Sequence, residues 1–380
     1  MLAMTYRGPR RVRVEHKDDP RIEHPEDVIL KVQCATICGS DLHLYGGLVP
    51  DTRVGTTFGH EFTGVVEDTG SQVTRFRVGD RVVVPFNISC GRCTLCKKSL
   101  FSLCESVNPS AHFVGGVYGY SYTTGGYDGG QAQYVRVPFG NFNPMPIPDD
   151  MDDESVLFLS DIFPTGFQAA EMGSIQPGET VAVFGCGPVG VVAQRCAWLL
   201  GAGRVIGIDS VDYRLDFARK YAQSEPVDFA DGDIVMALRD MTDGRGPDVC
   251  IDAVGLEASG SHLHNVLGRR LMLEAGAATS IEWCIEAVRR GGHVVLMGVY
   301  GPPYNMIPIG TAMNKGLTLR MAQANCKRYM DMLLEHIRDG RIDSKSLITH
   351  RYGLHEIGAA YGMFARKDDH CMKIIINPNN

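Results

Sequence analysis

The chain has 380 residues, which suggests two domains, and 44% hydrophobic against 21% charged residues excludes a disordered polymer. Lys+Arg of 37 against Asp+Glu of 44 gives a net charge of −7, which argues against a dedicated nucleic-acid or anionic-membrane surface. The 44 glycines follow no G-x-y period, which excludes collagen and leaves them for turns and close backbone approaches.

In chain order, the first 140 or so residues read as short strands and turns, with Val28, Leu30 and Val32 alternating and a turn at Arg77–Asp80 feeding a strand to Val84. Pro144, Pro146 and Pro148 mark the exit from this mainly-β half. A helix is predicted over Met151–Met172, interrupted at Pro164. Then come strand Thr180–Phe184, helix Pro188–Leu200, strand Arg204–Ile208, helix Asp212–Gln223, strand Val249–Ala253, helix Ser280–Arg290 and strand His293–Met297. Strands alternating with helices predict a parallel sheet with right-handed crossovers. A helix at Tyr329–Asp339 and a closing strand at Cys371–Ile376 follow. Nothing at the amino-terminal end reads as an apolar signal core, and no apolar run reaches about 18 residues. The expectation is a soluble, cytoplasmic protein whose 12 cysteines stay reduced, so that clustered cysteines mean metal or catalysis.

Gly185-Cys186-Gly187-Pro188-Val189-Gly190 follows an apolar strand and opens an apolar helix, and Asp209 ends the next strand. This is the Rossmann pattern: two glycines let the backbone approach a pyrophosphate at a helix N-terminus, and the third lets helix and strand pack closely. Asp209 would accept ribose hydroxyls and repel a 2′-phosphate, which favours NAD over NADP. Arg214, a helix-face cation nearby, is a further candidate contact. Cys90, Cys93, Cys96 and Cys104 space as C-x2-C-x2-C-x7-C, enough thiolates to close a tetrahedron around a structural Zn²⁺. The other seven cysteines, Cys34, Cys186, Cys196, Cys250, Cys284, Cys326 and Cys371, are scattered and read as small core residues. Cys38 and His60 are donors that suit zinc, but two ligands do not make a site, and spacing alone favours a core cysteine and a buried histidine.

Cys38-Gly39-Ser40-Asp41-Leu42-His43, Gly59-His60-Glu61-Phe62-Thr63-Gly64, the four-cysteine run and the glycine loop occur in an order that resembles the zinc-dependent medium-chain alcohol dehydrogenases over essentially the whole chain. Val84–Cys93 and Leu159–Gly166 look like the glutathione-independent formaldehyde dehydrogenase branch. The resemblance implies a GroES-like catalytic domain built from residues 1–160 and 305–380, with a doubly wound Rossmann domain, 161–304, inserted between them. It implies two zinc ions per chain. The catalytic one would be held by Cys38, His60 and Asp161, the last standing where the wider family commonly has cysteine. Asp41 would orient His60, Glu61 would stand beside the metal, and Ser40 and His43 would relay the substrate proton. Thr165 would pack on the nicotinamide, Arg320 would contact the pyrophosphate, and Val254 and Val299 are further expected cofactor contacts.

The expected activity is NAD-dependent oxidation of a small alcohol or an aldehyde hydrate, formaldehyde first. Met306–Arg351 looks closer to ordinary alcohol and threonine-type dehydrogenases, so a broader alcohol range is the alternative. A zinc ribbon in a nucleic-acid-binding protein is a different-class alternative, disfavoured by the acidic charge and the Rossmann half. A zinc-free quinone reductase would lack Cys38 and the four-cysteine run. The long connection from Leu256 to Thr279 is expected to lie against the adenosine and slow NAD release. The branch also implies a homo-oligomer, a tetramer, with no nucleic-acid or membrane partner.

Overall fold

Val28–Thr36 buries most of its length. In the computed structural model, which describes residues 1–111, 114–255, 279–300 and 307–380, it is the central strand of a seven-stranded sheet. It pairs antiparallel with Phe62–Thr69, Tyr134–Val137 and Lys373–Asn377. Arg81–Val84 and Met145–Pro146 continue one side, and Ile348–Gly353 runs parallel to Lys373–Asn377 on the other. Strands from both ends of the chain therefore share one sheet. Leu30, Val32, Phe62, Val82, Val84, Ile374 and Ile376 bury its core face, each contributing about 1.5–3 kcal/mol. This GroES-like, mainly-β unit comprises residues 1–164 and 325–380.

The second unit, 165–324, is a doubly wound Rossmann domain. Its six parallel strands lie in the order Glu225–Asp228, Arg204–Asp209, Thr180–Phe184, Val249–Asp252, His293–Leu296 and Thr318–Met321. The order reverses between Thr180–Phe184 and Val249–Asp252, so the crevice for a dinucleotide opens beyond the carboxyl ends of those two strands. The central strands are continuous apolar runs covered on both faces, which is why they were legible. The two edge strands carry Pro226 and the exposed Thr318, Arg320 and Met321, and no sequence period announces them. The helix Ile234–Asp240, capped by Asp233, was likewise not foreseen.

Two boundaries differ from expectation. The predicted break at Pro164 falls instead at Asp161, whose backbone (φ −150°, ψ −78°) separates the 3₁₀ turn Leu157–Ser160 from the helix Ile162–Met172. Pro164 lies in the first turn of that helix, where its missing N–H would have had no partner anyway. The chain also leaves the nucleotide unit after Ala324 rather than near residue 304, because Thr318–Met321 adds a sixth strand to the sheet. The connection at 256–278 lies outside the described residues.

A Cβ at Gly190 would sit 1.9 Å from the carbonyl oxygen of Gly185. Gly190→Ala must push the helix off the loop. We expect a loss of roughly 1–3 kcal/mol, read as a lowered Tm by calorimetry; an unchanged transition would contradict the packing role.

Candidate active site

The helix Gly39–Tyr45 begins at Cys38. Asp41, in its first turn, folds back so that its Oδ2 accepts the Cys38 amide at 2.9 Å, which fixes the cap and the thiol it carries. His60 follows Gly59, whose φ of +94° is open only to glycine without strain. Asp161 is delivered by the break described above, and the Phe86 amide pins that turn through the Ser160 carbonyl at 2.8 Å. These three local devices bring Cys38, His60, Glu61 and Asp161 together with their donor atoms all within 4.8 Å of one another, every residue buried. Cys38 Sγ is 3.6 Å and His60 Nε2 3.3 Å from Asp161 Oδ2.

The donor set fits a metal such as zinc. A buried thiol, carboxylate and imidazole converge, and the Oε2 atom of Glu61 has no hydrogen-bond partner. Burial pushes the Cys38 thiol up. Burial would lower the pKa of His60, yet the Asp41 charge and hydrogen bonds to Asp161 and Asp41 outweigh it and hold the imidazole well above its ordinary value. The cluster holds protons where a divalent cation would displace them. Ser40 Oγ, half-buried, stands 3.5 Å from His60 Nε2. His43 is buried on the same helix.

Sequence reasoning missed Lys373. Its ammonium lies 2.5 Å from Glu61 Oε1, with both side chains essentially inaccessible. Burial would lower its pKa, but the charge of Glu61, then Cys38, raises it above the ordinary value. The signal was present: one lysine leads the otherwise apolar Ile374-Ile375-Ile376.

Cys90, Cys93, Cys96 and Cys104 form the second cluster. Cys90–Cys96 and Cys93–Cys104 sulfurs are each 4.0 Å apart, close to the ~3.8 Å edge of a tetrahedron with Zn–S of about 2.3 Å. Backbone amides of Arg92 and Cys93 point at Cys90 Sγ, and that of Cys90 at Cys104 Sγ. Burial opposes ionisation of Cys90, but a hydrogen bond from Ser106 and those amides bring its pKa down to about 6. Burial raises Cys96 and Cys104. All 12 cysteines are free thiols.

In the nucleotide unit Gly185 adopts φ +97°, and Gly187 caps the helix Pro188–Leu199, with Pro188 in its first turn ahead of Val189 and Gly190. Asp209 Oδ2 accepts the Cys186 amide at 2.8 Å, and Oδ1 accepts those of Ser210 and Val211. A carboxylate offers about four lone pairs, so acceptor capacity remains after the loop is tied. The Arg214 guanidinium stands beside Gly187, its Nη1 3.6 Å from where a Cβ would be, and Val254 closes on Gly185. Val299 packs by its backbone against Gly255, and Thr165 is buried in the first turns of its helix. Arg320 does not turn toward this loop: its guanidinium donates to the Met172 carbonyl at 3.1 Å and the Ser174 hydroxyl at 2.7 Å.

Residues 24–149 match the alcohol dehydrogenase GroES-like domain family, and residues 188–273 the zinc-binding dehydrogenase family. A Bacillus subtilis protein described as an uncharacterized zinc-type alcohol dehydrogenase-like protein AdhB is 42% identical over 100% of both chains. The glutathione-independent formaldehyde dehydrogenase of Pseudomonas aeruginosa is 36% identical over 78% of this chain and 74% of its own. Among solved structures, the alcohol dehydrogenase TADH from Thermus sp. ATN1 superposes with a TM-score of 0.86, at 34% identity and 99% coverage of both chains.

Two outcomes are expected of the metal clusters. Asp161→Ala should lose zinc from the mixed cluster and retain it in the four-cysteine cluster; atomic absorption showing undiminished zinc would contradict the ligand role. Zinc affinity of the four-cysteine cluster should rise with pH between about 6 and 8. Cys96 and Cys104, shifted up, must release protons to bind, whereas Cys90 is already ionised near neutrality. Chelator competition across that range measures the slope, and a flat profile would refute the assignment.

Proposed function

Because the chain belongs to the zinc-dependent medium-chain alcohol dehydrogenase family, we propose that it oxidises a small alcohol or an aldehyde hydrate with NAD, the hydrate of formaldehyde foremost. The observation that carries this is the buried convergence of Cys38, His60 and Asp161. When bound, zinc supplies the Lewis acidity that makes a substrate hydroxyl acidic, and NAD supplies the hydride acceptor. Cys38, His60 and Asp161 hold the metal, as two anions and a neutral ring that balance its charge. Asp41 holds the His60 ring from behind, at 3.3 Å from Nδ1. Ser40 accepts the substrate proton and His43 passes it outward. Lys373 pairs with Glu61 Oε1 and offsets part of the rise that burial imposes on that carboxyl, while Glu61 Oε2 keeps no partner.

In the nucleotide unit, Gly185, Gly187, Pro188, Val189 and Gly190 with Arg214 receive the pyrophosphate, and Asp209 the ribose. Thr165 borders the nicotinamide, and Val254 and Val299 are further cofactor contacts. The role expected of Arg320 requires its guanidinium to leave Met172 and Ser174. The four cysteines of the second cluster hold a structural zinc with no open position. A homo-oligomer, a tetramer as in the branch, is supported by the edge strand Thr318–Met321, where Met321 and the preceding Ile309 and Met313 are exposed. A cytoplasmic location accords with the free cysteines. No helix among the described residues is long and apolar enough to cross a membrane.

A second reading, a broader-range alcohol dehydrogenase, is favoured by one observation. The relatives matching over the full length are named as alcohol dehydrogenases, whereas the formaldehyde enzyme matches over 78% of this chain.

An NADH absorbance screen over formaldehyde, short primary and secondary alcohols, polyols and threonine separates the two readings. The first expects kcat/KM to be highest for formaldehyde; a higher value for a longer alcohol selects the second. Asp209→Ala should raise KM for NAD by about ten- to a hundredfold, the worth of charge-assisted hydrogen bonds; an unchanged KM would remove Asp209 from the cofactor site.

A further inference from the structure

Asp41 is fully buried, and a carboxylate that orients His60 must itself be held. Its Oδ2 accepts the Cys38 amide and, at 3.5 Å, Nε2 of Gln131. Gln131 is fully buried too, and both ends of its side-chain amide are partnered. Nε2 also donates to the Thr36 carbonyl at 3.0 Å, and Oε1 accepts the Tyr361 hydroxyl at 2.8 Å. Tyr361, equally buried, sits on the helix Ile357–Arg366 of the carboxyl-terminal segment.

The chemistry leaves one orientation for this amide. Thr36 and Asp41 both present acceptors, so the NH₂ end must face them, and Oε1 must face Tyr361, whose hydroxyl is thereby forced to donate. Flipped, Oε1 would oppose a carboxylate. Gln131 also reaches the His60 segment directly. Its backbone N–H donates to the Phe58 carbonyl at 3.1 Å, and a Cβ at Gly59 would fall 2.5 Å from its Cγ. One glutamine thus braces both the turn before His60 and the carboxylate behind it.

We propose that Gln131 and Tyr361 are positioning residues for the mixed metal cluster: Tyr361 fixes the Gln131 amide, Gln131 fixes the Asp41 carboxylate, and Asp41 fixes the tilt and tautomer of His60. This rests on the metal reading given above. Outer partners of ligand histidines are worth about ten- to a hundredfold in metal affinity, and buried groups in contact transmit such a loss from one to the next, here ending on Asp41 Oδ1 at 3.3 Å from His60 Nδ1.

The test uses the full-length protein and measures metal rather than turnover. Tyr361→Phe removes one hydroxyl with no change of shape, and Gln131→Met keeps the volume without polar atoms. Zinc affinity of the mixed cluster, by chelator competition, should fall about tenfold in Tyr361→Phe and toward a hundredfold in Gln131→Met, while the four-cysteine cluster keeps its zinc. Cobalt in the mixed cluster should show shifted d–d bands. Unchanged affinity and an identical cobalt spectrum, with only a lower Tm, would overturn the proposal. Should Gln131→Met not fold, Tyr361→Phe decides alone. A wild-type chain that binds zinc only through the four cysteines would overturn the metal reading, and this inference with it.

Discussion

The buried meeting of Cys38, His60, Glu61 and Asp161 is the constraint around which the mainly-β unit is arranged. Bringing ionisable donors out of water costs several kcal/mol each unless opposite charge and hydrogen bonds compensate. Lys373 compensates Glu61 from within the protein; a thiol, an imidazole and a second carboxylate remain, a set that calls for a cation. The helix cap at Cys38, the glycine turn before His60 and the broken helix at Asp161 are three local solutions to one problem, each aiming a donor at the same point.

The nucleotide unit answers a different demand with similar economy. Its loop packs backbone against backbone, which glycine permits at Gly185 and Gly190. Asp209 then ties the loop to the neighbouring strand through Cys186 while keeping acceptor capacity for a hydroxyl.

How much was legible in the sequence follows from where the information sits. The four-cysteine cluster and the glycine loop are local patterns, and their donors are fixed by spacing within a short stretch. Cys38, His60 and Asp161 are far apart in the chain, so residue types alone left them open and family resemblance was needed to join them. Lys373, Gln131 and Tyr361 were invisible. A lysine beside three isoleucines, a glutamine among glycines and a tyrosine in an apolar helix acquire meaning only through partners more than 200 residues away or across the sheet. Pro164 misled because proline breaks helix interiors but fits first turns. For Arg320 the sequence carried the residue type but not the direction of its side chain, which the structure turns toward Met172.

The central strand Val28–Thr36 takes one of its partners, Lys373–Asn377, from the far end of the chain. Synthesis on the ribosome runs from amino to carboxyl end, so the sheet stays open at that edge until Lys373–Asn377 has emerged. The parallel unit at 165–324 closes on contacts between neighbouring strands and helices and is complete earlier. The mainly-β unit, whose sheet pairs Ala35 and Thr36 with Ile376 and Ile375, has the longer wait. During that interval the donors near residue 60 are present without Lys373, so a lysine translated long after Glu61 completes its charge balance.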